Sequence, residues 1–123
     1  MVLVTSNKQH RLLCLTYVQR VSPAELEVAR AESTALLADL PPGIRLLADL
    51  SQLEFMDLAC AAEIGRTMDL FNKHGVELIV RVIPDPAKDI GFNILGAFHY
   101  PQQPRTITRQ NLAEALRQLS LWA

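Results

Sequence analysis

The chain has 123 residues, half of them hydrophobic and a fifth charged, with a formal net charge of −1. That composition excludes intrinsic disorder and suits a domain with a sizeable core, while the balanced charge argues against a nucleic-acid binder, which needs a basic face. No apolar segment approaches the ~18–20 residues that span a bilayer. The opening MVLVTSNKQHR lacks the charged-then-apolar order of a signal peptide, so a cytoplasmic location is expected.

Val2–Thr5 and Arg11–Gln19 are β-rich and separated by Ser6-Asn7-Lys8-Gln9, which predicts a hairpin. Ser22-Pro23-Ala24-Glu25 predicts a helix start, with Ser22 as N-cap, Pro23 at the first helical position and Glu25 closing a capping box. Ala24, Val28, Ala31, Ala35 and Ala38 then share one face at 3.6-residue spacing. Pro41-Pro42-Gly43 ends that helix, because proline disfavours helical geometry in the residue before it. The apolar run Ile44–Leu50 is short enough for a buried parallel strand. Leu58–Lys73 reads as a helix with Asp57 as its N-cap and Gly75 as its stop, Lys73 and His74 lying near the negative end of the dipole.

Val76–Ile83 is a second buried-strand run. Asp85-Pro86 repeats the cap-then-proline start, predicting a helix from about Pro86 to Ala97. Pro101-Gln102-Gln103-Pro104 is a rigid loop, Arg105–Ile107 a short strand, and Thr108 the cap of a last helix striped by Leu112, Ala115, Leu116 and Leu119. The order is ββαβαβαβα, an α/β fold. Two strand–helix–strand crossovers in succession imply a mainly parallel sheet with a hairpin at its start, and the two apolar runs are its expected central strands. With no repeat or linker, residues 1–123 read as a single domain.

In open α/β sheets, sites form in the loops beyond the carboxyl ends of the strands. That directs attention to the turn after the Ile44–Leu50 run and to Met56, Asp57, Leu58, Ala59 and Cys60. Asp57 can cap the helix and also present an anionic docking point, while Asp49 is expected to hold the loop by accepting backbone amides. Leu58 either faces a partner or turns inward beneath the helix. Cys60 falls in the first helical turn, where the dipole can lower a thiol's pKa, but it equally suits a small residue packed at a tight turn. Cys14 and Cys60 match no metal-ligand spacing, and His10, His74 and His99 are scattered. Neither a metal nor another cofactor is expected.

Arg81 interrupts its apolar strand. It shares a strand face with Glu77, which suggests a surface pair or a face covered by a partner subunit. The segment 88–100 offers an apolar helix face, Ile90, Ile94, Leu95, Phe98 and Tyr100, with Gly91 and Gly96 permitting close packing. No nucleophile elbow, phosphate loop or paired His and acid is present, so a non-catalytic role is expected.

D-L-S-x-L-x-F-M-D, from Asp49 to Asp57, resembles the central signature of STAS domains (sulphate transporter and anti-sigma factor antagonist). STAS domains have the same element order, so the resemblance covers nearly the whole chain. It implies a STAS-like fold and a bacterial signalling module whose partner is a kinase-like or sigma-regulatory protein. In the regulatory members the acid is followed by Ser-Ser-Gly-Leu, and phosphorylation of one serine breaks a complex with a kinase. Here Leu58, Ala59, Cys60 and Ala61 follow. Both hydroxyls are gone, and Ser51 lies outside the first helical turn, so the resemblance implies a module without the phospho-switch. The alternatives are a small-molecule or lipid-binding STAS-like domain and a homo-oligomerisation domain.

Overall fold

The computed structural model describes residues 1–85 and 104–121. The predicted helix over 86–97, the apolar segment 88–100 and most of the 101–104 loop lie outside the described residues. Strand β1 (Val2–Asn7) turns back into β2 (Leu12–Val21). The Asn7 side chain accepts from the His10 amide at 3.1 Å, the Lys8 carbonyl accepts from the Arg11 amide at 3.2 Å, and Arg11 closes the turn with φ 52°. Helix α1 (Pro23–Ala38) follows, then β3 (Arg45–Met56), α2 (Cys60–Lys73), β4 (Leu78–Val82), β5 (Arg105–Arg109) and α3 (Leu112–Leu121).

The five strands lie in the order β1-β2-β3-β4-β5, with β1 antiparallel to β2 and all other pairs parallel. The Ile44–Leu50 and Val76–Ile83 runs supply β3 and β4, each with a neighbour on both sides, as their largely apolar character predicts. Side chains alternate between the two faces. Leu46, Ala48 and Ile79 join Leu26 and Leu37 of α1 and Ile64, Met68 and Phe71 of α2 in one core. Leu47, Leu78, Val80, Val82 and Ile107 join Ala115 and Leu119 of α3 in a second, on the opposite face. Arg45 ties the layers together at the start of β3. It is buried and donates from Nη1 to the Leu119 carbonyl at 2.7 Å and from Nη2 to the His10 carbonyl at 2.8 Å.

The capping box of α1 forms as its four residues predict: the Glu25 amide donates to Ser22 Oγ at 3.2 Å and the Ser22 amide to Glu25 Oε1 at 3.3 Å. The buried face of α1 is a different one from that expected. Leu26, Ala29, Ser33 and Leu37 face the core, whereas Ala24, Val28, Ala31, Ala35 and Ala38 are exposed. Each leucine removes far more apolar area from water than an alanine does, so the face with Leu26 and Leu37 turns inward, and Ser33 is admitted because its hydroxyl donates to the Ala29 carbonyl at 2.8 Å within the helix.

Gly75, at φ 69°, stops α2 as expected. Helix α3 is capped by Asn111, not Thr108. Asn111 Oδ1 accepts from the Glu114 amide at 2.9 Å, while Thr108 is held in β5, paired with Arg81. Of the α3 stripe, Ala115 and Leu119 are buried, and Leu112 and Leu116 are exposed. Arg81 is also buried, while Glu77 is exposed one residue ahead of β4, so the two do not form a surface pair on an open sheet face. Arg81 and Tyr17 line a cavity of about 40 Å³ beneath α2. Burial pushes the Tyr17 phenol up to about 12, with the Arg81 charge pulling the other way.

Candidate functional site

Strand β3 runs six residues beyond the expected end at Leu50. Its pairing with β4 finishes at Asp49↔Val82, but its pairing with β2 continues to Val21↔Met56. The tips of β2 and β3 thus form a parallel two-stranded ribbon reaching past β4. Ser51, Gln52 and Glu54 alternate loosely with Leu53 and Phe55, the pattern of a half-exposed strand. Asp49 does hold the backbone locally, inside the strand: its Oδ1 accepts from the Ser51 amide at 3.0 Å and the Ser51 hydroxyl at 2.6 Å.

Strand β2 is bulged between Thr16 and Val18 and between Gln19 and Arg20, and Gln19 takes φ 58°. Bulges re-aim side chains, and here Arg20 comes to lie opposite Phe55, its guanidinium carbon 5.2 Å from the ring centroid. Phe55 remains 51% exposed. An open groove runs beside this pair, lined by Arg20, Pro23, Glu25, Phe55 and Asp57. The N-terminal ammonium of Met1 lies 2.7 Å from Glu25; its hydrogen bond holds the Glu25 carboxyl below its usual value, aided by Ser22.

The turn at the end of the ribbon contains all five residues singled out in the sequence. Asp57 is not the N-cap of α2. The capping position is Ala59, which makes no side-chain cap bond, and Asp57 lies two residues earlier. Its Oδ1 accepts from the Ala59 amide at 3.2 Å and its carbonyl from the Cys60 amide at 2.9 Å. Because β3 stays extended to Met56, residues 57–59 are used up in turning the chain, and α2 starts at Cys60 rather than Leu58. Met56 is half-buried against the core. Asp57 and Ala59 are exposed, and Leu58 is 89% exposed.

Cys60 is completely buried, its Sγ donating to the Val21 carbonyl at 3.4 Å. Burial pushes its thiol up, with the Asp57 backbone hydrogen bond pulling the other way and the nearby carboxylates of Asp57, Glu25 and Glu63 adding to the rise, so the turn does not carry an activated thiolate. The expected result is that a water-soluble disulfide reagent at neutral pH leaves Cys60 unmodified in the folded protein and labels it only after unfolding, as read by peptide mass spectrometry. Behind the turn, the Glu63 carboxylate of α2 accepts from both Arg30 of α1 and Arg66. The Arg30 hydrogen bond, with both positive charges, holds that carboxyl below its usual value. The helix carrying the turn is thereby pinned to its neighbour.

Among the described residues no cluster of His, Cys, Asp and Glu is arranged to hold a metal ion, and no helix is long and apolar enough to cross a membrane. Arg20 and Phe55 escaped the sequence reading. Their pairing depends on the bulged register of β2, whereas the polar–apolar alternation of residues 51–55 is the signal for the longer strand.

No protein-family model matches the sequence, nor does any curated protein. Solved structures do. A SpoIIAA-like protein of the DUF3478 family from Shewanella loihica superposes with a TM-score of 0.73 at 15% identity, over 97% of this chain and 92% of that one. The unphosphorylated anti-sigma factor antagonist SpoIIAA gives 0.66 at 14% identity, over 98% of both chains.

The fold is that of a STAS domain.

An anti-sigma factor antagonist from Mycobacterium paratuberculosis agrees, with a TM-score of 0.59 at 19% identity over 98% of this chain and 93% of that one. The similarity in fold covers nearly the whole chain. SpoIIAA is known in phosphorylated and unphosphorylated forms. In this chain, residues 56–60 contain no hydroxyl, and the nearby Ser51 hydroxyl is engaged by Asp49.

Proposed function

We propose that this STAS-like chain is a single, non-catalytic protein-interaction domain that docks a regulatory protein on the β3–α2 turn and works without a phospho-switch. The observation that carries this reading is Leu58, 89% exposed at the tip of a turn fixed by Asp57. A large apolar side chain held in water, three residues along the chain from a second exposed one, Phe55, supports a contact surface. Asp57 and Arg20 add charges of both signs to its rim, which set orientation and partner choice. The similarity to anti-sigma factor antagonists favours a kinase-like or sigma-regulatory partner. With Leu58, Ala59 and Cys60 at the turn, such a complex is regulated by concentration or by competition rather than by phosphate at these positions.

The test is Leu58→Asp. Leu58 makes no core contact, so thermal unfolding of the variant is expected to match the wild type, as exposed substitutions usually do. Burying a leucine at an interface contributes about 1.5–3 kcal/mol, so affinity for a partner identified by cross-linking in host cells drops at least about tenfold. Equal binding by both proteins removes the turn from the interface. A large fall in melting temperature shows that Leu58 packs inside.

A further inference from the structure

We infer that the outer edge of β1 is a self-association surface, where β1 of a second copy pairs antiparallel to extend the sheet through both molecules. Met1 and Val18 exchange both backbone hydrogen bonds, at 3.0 and 2.8 Å. In an antiparallel ladder such pairs alternate, so in the β1–β2 register Leu3, Thr5 and Asn7 bond inward to Thr16, Cys14 and Leu12. The amides and carbonyls of Val2, Val4 and Ser6 therefore point outward, at the end of the strand order. A second strand can satisfy such a row group by group, in place of water.

The edge is self-complementary. A two-fold axis through Val4 places Val4 opposite Val4 of the second copy and Val2 opposite Ser6, so every outward donor meets an outward acceptor. The same axis sets Leu3 opposite Thr5. Natural edges are blunted by lysine, proline or a bulge. In this sheet β5 carries Arg105 and Arg109 at its two ends, whereas β1, VLVTSN, has neither charge nor proline. Exposed apolar groups lie on both sides of the edge. Leu3 is 48% exposed on one face. On the other, exposed Val28 and Ala24 of α1 line an open groove with Met1 and Val2, rimmed by Glu25 and Glu32. In the paired register Leu3 packs across the seam beside Thr5 of the second copy.

The experiment is sedimentation of the full chain over a concentration series, with the Leu3→Lys variant alongside. Leu3 is surface-exposed, and in the dimer the two introduced lysines lie diagonally across the axis. The wild type is expected to double its mass with rising concentration while Leu3→Lys stays monomeric with an unchanged melting temperature. Hydrogen exchange by NMR gives a second reading, independent of any variant. Amides of Val2, Val4 and Ser6 slow on concentrating the wild type, while those of Leu3, Thr5 and Asn7 are slow throughout. A wild type that stays monomeric, a dimer that persists in Leu3→Lys, or fast exchange at Val4 at every concentration overturns the inference. In the first of these cases the edge is left to a strand from a different protein.

Discussion

Replacing Arg45 with alanine is expected to lower stability by about 3 kcal/mol, a fall in melting temperature on the order of 10 °C for a domain of this size. The side chain is 7% exposed and bridges carbonyls of Leu119 and His10, which lie 74 and 35 residues away in the chain. Hydrogen bonds to a charged donor contribute about 1.5–3 kcal/mol each. Part of that is offset because the variant no longer buries a guanidinium, one of whose nitrogens, Nε, has no partner among the described residues. Leu119 lies in the last turn of α3, where carbonyls lack partners within the helix, so the variant exposes an end that Arg45 now closes. Arg45→Lys is expected to recover less than half of the loss, because an ammonium is a point donor and cannot fork between two separated carbonyls. The measurement is thermal or urea unfolding of the three proteins. A loss below about 1 kcal/mol for Arg45→Ala would mean that water replaces the arginine at both carbonyls.

Leu37→Ala is expected to cost about 2–5 kcal/mol, whereas Val28→Ala, nine residues earlier on the same helix, costs less than about 0.5 kcal/mol. Leu37 is 2% exposed within the core shared by α1, α2 and the sheet, and Val28 is 58% exposed. The contrast tests which face of α1 carries the fold. Denaturant titration of the two variants at low protein concentration decides it, and similar losses would place the α1 stripe in the core after all.

That pair also marks what the sequence makes legible and what it does not. The capping box from Ser22 to Glu25 lies within four consecutive residues, so nothing distant has to be known to read it. The central place of β3 and β4 follows from their largely apolar runs, such as Leu78–Val82 with Arg81 alone breaking it, which suit strands covered on both faces. The face of α1 is not legible, because five small residues at helical spacing look like a core stripe. Periodicity counts positions, while burial favours the largest apolar side chains, here Leu26 and Leu37. At the site, Asp57 and Leu58 are visible from the motif and the turn. That Asp57 does not cap α2 is not visible, because it depends on β3 staying extended through Met56. Arg20 beside Phe55 is less accessible still: their meeting follows from the bulge at Gln19, a backbone event that no side-chain pattern announces.

The ribbon formed by β2 and β3 has a thermodynamic consequence. Residues 18–21 of β2 touch both surfaces: the Val18 and Arg20 carbonyls accept from the Met1 ammonium at 3.0 and 2.7 Å, Arg20 stacks on Phe55, and Val21 accepts from Cys60. The residue just before the edge strand and the β3–α2 turn are thus fastened to one short bulged segment. If occupancy at either proposed surface shifts that segment, linkage makes the influence reciprocal. Whatever factor a bound partner applies to self-association, self-association applies to the affinity for the partner. Titrating the partner at two concentrations of the chain, one below and one above its own association, measures that factor from either direction.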